Sequence, residues 1–408
     1  MYILSHFPPP EELVKEPGLS GTAFYEVNGH IHTPYSFSAF SGVSPIFEMA
    51  LRENVKILGI NDFYVTEGYS EFYENALKNR IFPLFNIEFI ALDRDMQKAG
   101  IRVNDPNNPG RTYLSGKGLD YPARLCEPER EMVESVKNEG HRQICTMIDK
   151  TNALLSEKQI DIRLDFTTIL NQLARGLVRE RHIAKALRMK IFSSYKNKEE
   201  KIKILTELYD ERVPKANPED AAATEMEIRN NLLKAGGRAF VEEDEKAFLT
   251  IAHVIEIITS SGGIPCYPVL LDDAKGNLTD FESDYENLYR ELKSRNIFCI
   301  ELIPGRNDFE VLKNFVGFFR GKGFIVLFGT EHNTPELIPL TVCCRQGAAL
   351  DADLKQVSFE GACAIAAHQY YRAKGYNSPV TRWNDLDPQE KENVIQTGRS
   401  VIDHFINH

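Results

Sequence analysis

Residues 25–33 read YEVNGHIHT, an apolar run that ends in two histidines. The run is typical of a β-strand, which we expect to extend from Tyr25 to His32. Alternate residues of a strand share one face, so His30 and His32 could reach a single ion. Strand ends on one side of a barrel are also where active sites are built. Because a His-x-His pair also arises by chance, the rest of the chain must support this interpretation.

Five further apolar runs follow, and each ends in polar residues. They are rich in side chains that suit a sheet buried on both faces. Helical patterns precede two of them, at Pro45 to Arg52 and at Tyr285 to Arg295. This alternation predicts parallel strands in a barrel or in a doubly wound sheet. The runs are Lys56–Asp62, Phe82–Ile90, Gly263–Val269, Ile297–Ile303 and Phe324–Thr330.

Residues 127–261 break this rhythm, because they are highly charged and almost free of strand signals. We expect them to form a large helical insertion that divides a barrel into residues 20–126 and 262–346. Residues 347–408 would form a C-terminal helical tail packed on the barrel. Its two helices are expected at Phe359–Lys374 and Pro388–Ile406.

Composition and charge argue against several classes of protein. Hydrophobic residues make up 42% of the chain and charged residues 26%, as in folded soluble proteins. The net charge of −11, without a basic stretch, disfavours nucleic acid as a partner. The N-terminus does not resemble a signal peptide, and no apolar run could span a membrane. Seven scattered cysteines without a C-x-x-C pair indicate reduced thiols. We therefore predict a cytoplasmic protein, and leave open whether it forms a homo-oligomer.

Other strand ends also offer potential ligands. Asp62 closes the second run, Glu88 lies late in the third, and Glu331-His332 follow the last. An isolated acid at a strand end is more often a helix cap or a surface residue. Four strands that converge on histidines and acids are better explained by a metal site.

In these segments the chain resembles the PHP family, the polymerase and histidinol phosphatase domain. Members of that family are metal-dependent phosphoesterases, so the resemblance implies their α/β fold, a distorted (β/α)7 TIM-like barrel. It covers roughly Phe24 to Thr334, interrupted by the insertion. The similar segments are His30–Thr33 for the H-x-H motif, Leu58–Asp62 for T-D-H, Asn86–Phe89 for G-I-E, Gly262–Pro268 for A-H-P and Gly329–Glu331 for G-S-D.

The chain departs from the family pattern where further ligands are expected. Phe63 stands at the histidine of T-D-H, Tyr267 stands at the histidine of A-H-P, and residues 111–114 contain no histidine. The resemblance therefore implies one divalent ion, although many members bind up to three. The ligands that it implies here suit Zn, Mn or Fe, and they are His30, His32, Glu88 and Glu331.

Further residues could serve the substrate. Asp62 would orient a ligand or the water. His332 could donate a proton or add a ligand, or be a rim histidine bonded to a carbonyl. We expect a loop at residues 104–118 that either seats an anion or is a plain surface loop. The candidate anion binders are Arg111, Lys117 and Arg306, and Tyr267 could donate a hydrogen bond to the substrate.

These observations predict a metal-dependent hydrolase of the PHP type, in which a metal-activated water attacks a phosphorylated or anionic small molecule. Two alternatives stay open. The chain could be a catalytically silent PHP-like binding protein, or a one-metal isomerase or lyase of sugar acids. The insertion is expected to act as a lid over the site.

Overall fold

The computed structural model describes residues 2–15, 23–273 and 275–408. The expected first residues of the barrel, 20–22, lie outside the described part of the chain. Within that part, the strands form one seven-stranded sheet in sequence order. They are β1 (Glu26–Ile31), β2 (Val55–Phe63), β3 (Phe82–Leu92), β4 (Arg111–Lys117), β5 (Ile264–Val269), β6 (Cys299–Leu302) and β7 (Ile325–Phe328).

Helices connect most of the strands and cover the sheet. Six of the described α-helices, α5 to α10, lie between β4 and β5, where the insertion is expected. None of the described helices combines the length and the apolar character needed to cross a bilayer. The α-helices are α1 (Pro10–Leu13), α2 (Ser44–Arg52), α3 (Tyr69–Asn79), α4 (Arg94–Lys98), α5 (Glu127–Glu157), α6 (Phe166–Gln172), α7 (Glu180–Ser194), α8 (Lys198–Leu208), α9 (Ala221–Ile228), α10 (Ile251–Ser260), α11 (Tyr285–Ser294), α12 (Phe309–Gly321), α13 (Ala352–Ala373) and α14 (Pro388–Asn407).

The sheet curls until its first and last strands meet, so it is nearly closed into a barrel. Glu331, just beyond β7, donates its backbone N–H to the carbonyl of His30 at 2.9 Å. His32 in turn donates its N–H to the carbonyl of Glu331 at 2.7 Å. These bonds bring the two ends of the sheet together at the predicted site. The predicted α/β barrel is confirmed.

One strand differs from the prediction of parallel strands. Residues 111–117, predicted as part of a loop, form β4, which is antiparallel to both β3 and β5. The prediction was wrong because this strand lacks an apolar run. Its side chains Ser115 and Lys117 point into the barrel and contact the buried Glu301, so polar residues occupy positions that are usually apolar.

The described residues pack around two apolar cores. The larger core lies between the sheet and its surrounding helices. All eleven residues of β3 are buried, and seven of them belong to this core. A smaller core joins α5 to α9, with Leu155, Leu187 and Leu208 among its buried side chains. Helix α5 contributes to both cores, because Val133 near its start packs on the barrel. The last helix before β5, α10, also packs on the barrel.

The C-terminal helices pack closely on the sheet and on each other. Helix α13 begins at Ala352, earlier than the expected Phe359, because the Asp351 side chain caps it by accepting the Leu354 N–H. It lies against β7 and β1. Gly361 allows this approach, since a β-carbon there would overlap the carbonyl oxygen of Val326.

The contact between α13 and α14 depends on Gly398. A β-carbon at this position would overlap the carbonyl oxygen of Cys363. We expect Gly398→Ala to lower the free energy of unfolding by about 1–3 kcal/mol, because the two helices must move apart. Urea unfolding measures this change. The matched control is Gly317→Ala in α12, where a β-carbon would meet no atom and the helix should gain up to about 1 kcal/mol. Equal stability of the two variants would contradict the close packing.

Candidate metal centre

Two histidines at the end of β1 face each other inside the barrel. Because they alternate along the strand, both side chains project to the same side. Both are buried, and their Nε2 atoms are 3.2 Å apart. Burial lowers the pKa of His32 to about 4 and outweighs the opposing effects of Asp62 and Glu331. His32 is therefore a neutral imidazole at physiological pH, as a metal ligand must be.

Glu88 of β3 completes a group of three ligand atoms. Its Oε2 lies 3.1 Å from the Nε2 of His32 and 3.6 Å from the Nε2 of His30. Ligand atoms of the three residues lie within 4.8 Å of one another. Among the described residues, this oxygen has no hydrogen-bond partner although it is buried. Burial raises the pKa of Glu88 to about 8, against the opposing effect of His30. A buried carboxylate oxygen that lacks a donor and faces two imidazoles fits a divalent cation.

The Nδ1 atoms of both imidazoles, on the side of the ring away from Glu88, contact hydrogen-bond acceptors. The Nδ1 of His30 donates to Oε2 of Glu301 at 2.9 Å. The Nδ1 of His32 donates to Ser36 Oγ at 3.1 Å, and this hydroxyl donates to Asp62 at 2.6 Å. Each contact places the proton on Nδ1 and leaves the lone pair of Nε2 directed at Glu88.

Asp62 lies behind His32 and is fully buried. Its carboxylate accepts the backbone N–H of Thr33 at 2.7 Å and the hydroxyl of Thr33 at 2.5 Å, besides the bond from Ser36. One of its oxygens lies 3.9 Å from the Nδ1 of His32. Its contacts are therefore with the groups that orient His32.

Glu331 lies at the edge of the three-residue group and has an unusual backbone. Both Glu331 and His332 adopt positive φ angles, 64° and 55°, which are uncommon for non-glycine residues. The Glu331 carboxylate pairs with Arg306. Burial acts to raise the pKa of Glu331, but Arg306 and the two site histidines lower it below its ordinary value. Arg306 contacts one of the two carboxylate oxygens of Glu331.

Comparison with known proteins agrees with this geometry. The PHP domain profile matches residues 28–212. Over this region the chain is similar to PHP domains. A crystal structure of a candidate metal-dependent phosphoesterase from Bifidobacterium adolescentis is similar in fold, with a TM-score of 0.52 and 16% identity over 81% of this chain and 94% of that chain. An amidohydrolase from Chromobacterium violaceum, with bound sulfate and no metal, gives a TM-score of 0.48 at 15% identity over 78% and 93%. No curated protein matches this chain.

The PHP domain match contains His30, His32 and Glu88, whereas Glu301 and Glu331 lie beyond it. The position that holds a histidine in the T-D-H motif of PHP domains is Phe63 here. Its ring stacks on His32 with a centroid distance of 4.8 Å. An apolar wall therefore borders this side of the three-residue group.

The remaining predicted site residues do not join the three-residue group. His332 bonds through both ring nitrogens, to Thr330 and to the carbonyl of Ile338. Arg111 pairs with Glu243 at 2.7 Å, and Tyr267 donates its hydroxyl to the buried Glu282 at 2.9 Å. Lys117 is fully buried and binds Glu301 and Asn61. Of the predicted anion binders, Arg306 is the one that contacts a predicted metal ligand.

Two arginines near the three-residue group were not predicted from the sequence. Both belong to the insertion. Arg179, at the start of α7, places its guanidinium 5.1 Å from the ring centroid of Phe63. Arg181 donates to the carbonyl of Asn333, and its charge acts on the pKa values of both His32 and Glu331. No sequence pattern pointed to them, because nothing in a charged segment indicates which side chains fold back on the barrel.

These arginines belong to a dense positive cluster. Arg179, Arg181, Arg229 and Lys234 surround Glu180, whose carboxylate lies 2.8 Å from Arg229. Burial, together with Arg229, lowers the pKa of Arg181 to about 10. Glu243 and Glu331 also act on Arg179 and Arg181, so these acids balance the four cations only in part, and the remaining positive charge favours an anion beside the three-residue group.

Proposed function

We propose that this chain is a metal-dependent hydrolase of a phosphorylated or otherwise anionic small molecule, and that it works with one divalent ion. The observation that carries the proposal is the convergence of three buried ligand atoms, one of which lacks a hydrogen-bond donor, next to the cationic start of α7. The PHP domain match and the barrel fold support a hydrolase of this family.

His30, His32 and Glu88 would hold the ion, and Glu331 would join them. Two imidazoles with carboxylates suit Zn, Mn or Fe. When bound, such an ion makes water a nucleophile at neutral pH and polarises a substrate oxygen. The phenyl ring of Phe63 and the imidazole of His332 occupy the flanks of the group, and neither offers an open ligand atom to a second ion.

The arginines would bind the anionic end of the substrate. Arg181 and Arg179 extend from the insertion towards His32 and Phe63, and Arg306 contacts Glu331 from the barrel. Guanidinium groups bind phosphate or carboxylate oxygens through paired N–H donors. An insertion that carries two of these groups would close over the substrate as a lid and exclude water.

The direct test is phosphate release from a panel of phosphate monoesters by the full-length chain. We expect turnover in protein loaded with Zn²⁺ or Mn²⁺, and none after the ion is removed by a chelator. Restoring the ion should restore turnover. Metal binding without any turnover would favour a silent binding protein. A rearranged product without phosphate release would instead favour an isomerase or lyase.

Substitution of Arg181 tests the binding of the anion. We expect Arg181→Gln to raise KM about 10- to 100-fold, because one charged hydrogen bond to the substrate is lost. The metal content should not change. Lys190→Gln is the matched control, since Lys190 is exposed at the end of the same helix. An unchanged KM in the Arg181 variant would remove this residue from the binding site.

A further inference from the structure

A buried ion pair lies beneath the candidate metal centre. Lys117 of β4 donates to Oε2 of Glu301 on β6 at 2.5 Å, and both side chains are at most 1% exposed. Removing two charges from water costs about as much as their attraction returns. Stability alone therefore does not explain why the barrel contains this pair.

Glu301 has its oxygens fully engaged by donors. Its Oε2 accepts from Lys117 and from the Nδ1 of His30 at 2.9 Å. Its Oε1 accepts from Ser115 Oγ at 2.5 Å. Glu301 also faces the Nδ1 side of the His30 ring, opposite to the Nε2 that points at Glu88 and His32. This acid is placed to hold a ligand and not to be one.

Lys117 also fixes a second neighbour of His30. Its ammonium donates to the Asn61 side-chain oxygen at 3.0 Å. The Asn61 amide nitrogen lies 3.2 Å and 3.0 Å from the two ring nitrogens of His30. A single buried ammonium therefore holds both the carboxylate and the amide that contact this ring.

We propose that Glu301, held in place by Lys117 and Ser115, is the positioning residue that fixes the tautomer and the orientation of His30 for the ion. The inference rests on the metal site of the proposed function. A carboxylate that accepts from Nδ1 makes the other ring nitrogen a better ligand. His32 is held by a neutral hydroxyl instead, so the two histidines are supported differently.

The pair explains how the barrel tolerates a carboxylate at this place. Without Lys117, the interior would contain a third acid close to Glu88 and Glu331 with no cation of the protein to balance it. The ammonium of Lys117 neutralises Glu301. Glu88 and Glu331, the predicted ligands, then remain to attract a divalent ion. The ion then binds to Nε2 while Glu301 keeps its contact with Nδ1.

Metal titration of the full chain after chelation tests the inference without any substrate. We expect Glu301→Gln to weaken binding of Zn²⁺ and Co²⁺ about 10- to 100-fold. The double variant Lys117→Met/Glu301→Gln should show the same loss of affinity. It contains no buried lysine without a partner, so it replaces the single variant if that variant folds poorly. Glu282→Gln is the matched control, because Glu282 is an equally buried acid of the barrel whose partners are Tyr267 and the backbone of residues 270–271. Its metal affinity should equal that of the wild type.

The tautomer of His30 gives a readout that a purely structural role would not move. In metal-free protein labelled with ¹⁵N at histidine, we expect His30 to carry its proton on Nδ1. In Glu301→Gln the proton should redistribute to Nε2. Wild-type affinity and an unchanged tautomer in this variant would overturn the inference and leave the metal site standing. A wild-type chain that binds no ion would overturn it together with the proposed function, whereas binding without turnover would overturn only the function.

Discussion

The His30→Ala variant is expected to be purified without a bound divalent ion, whereas the wild type should contain about one ion per chain. The substitution removes one of three ligand atoms that lie within 4.8 Å of one another. It also leaves Glu301 without its imidazole donor. Changes in the residues that merely orient a ligand already weaken affinity about 10- to 100-fold, so loss of the ligand itself should exceed that range.

Elemental analysis measures this effect as the metal-to-chain ratio. The matched control is His253→Ala, because His253 is exposed on α10. Its ratio should equal that of the wild type. If the His30 variant kept its ion, the three-residue group would not be the metal site. A wild-type ratio of two or three would instead show that ions bind despite Phe63 and Tyr267.

The second large effect concerns the stability of Glu88→Gln relative to the wild type. We expect the order of the two proteins to reverse when the ion binds. Burial raises the pKa of Glu88 to about 8 from an ordinary value of 4.5. Between these values the folded chain holds a proton that the unfolded chain lacks, so the stability of the metal-free wild type falls as pH rises from 4.5 to 8. Above pH 8 the wild type contains a buried charge without a hydrogen-bond donor. The neutral amide avoids this charge.

We therefore expect metal-free Glu88→Gln to be more stable than the wild type at pH 9, by about 1–3 kcal/mol, and similar to it at pH 5. With the ion present the order should reverse. An ion at 100 times its Kd stabilises the wild type by about 2.7 kcal/mol, and the variant lacks that binding. Urea unfolding at both pH values, with the ion and with a chelator, measures both effects.

In the same experiment, Glu282→Gln separates the loss of a metal ligand from the removal of a buried acid. The Glu282 carboxylate accepts the Tyr267 hydroxyl and two backbone N–H groups, and an amide cannot accept all three, so this control should not gain stability at pH 9. It should gain the same stabilisation from the ion as the wild type does. If Glu88→Gln behaved like this control in the presence of the ion, Glu88 would not be a ligand.

Patterns within short segments made the grouping of the three candidate ligands predictable. His30 and His32 alternate on one strand, and the period of two alone places them on one face. Glu88 lies late in an apolar run that is typical of a buried strand. Since parallel strands of a barrel end at the same side, their last polar residues meet there. The described residues bring those three side chains together as expected.

The same reasoning failed where a residue depends on distant parts of the chain. Lys117 was expected in a loop, where a lysine would bind an anion from solvent. Its strand is antiparallel and carries polar residues inward, so the ammonium is buried against Glu301 instead. Glu301 itself lies inside an apolar run and was overlooked, because its partners lie 184 and 271 residues away in sequence.

The sequence by itself determined the barrel and the grouping of the candidate ligands His30, His32 and Glu88, because strand periodicity and strand ends are local properties. Only the tertiary structure decided what surrounds them. The direction of β4 places Lys117 beneath His30, and the packing of the insertion brings Arg179 and Arg181 to the rim. Such contacts follow from strand order, register and helix packing, which join residues far apart in the chain and leave no pattern within any one segment.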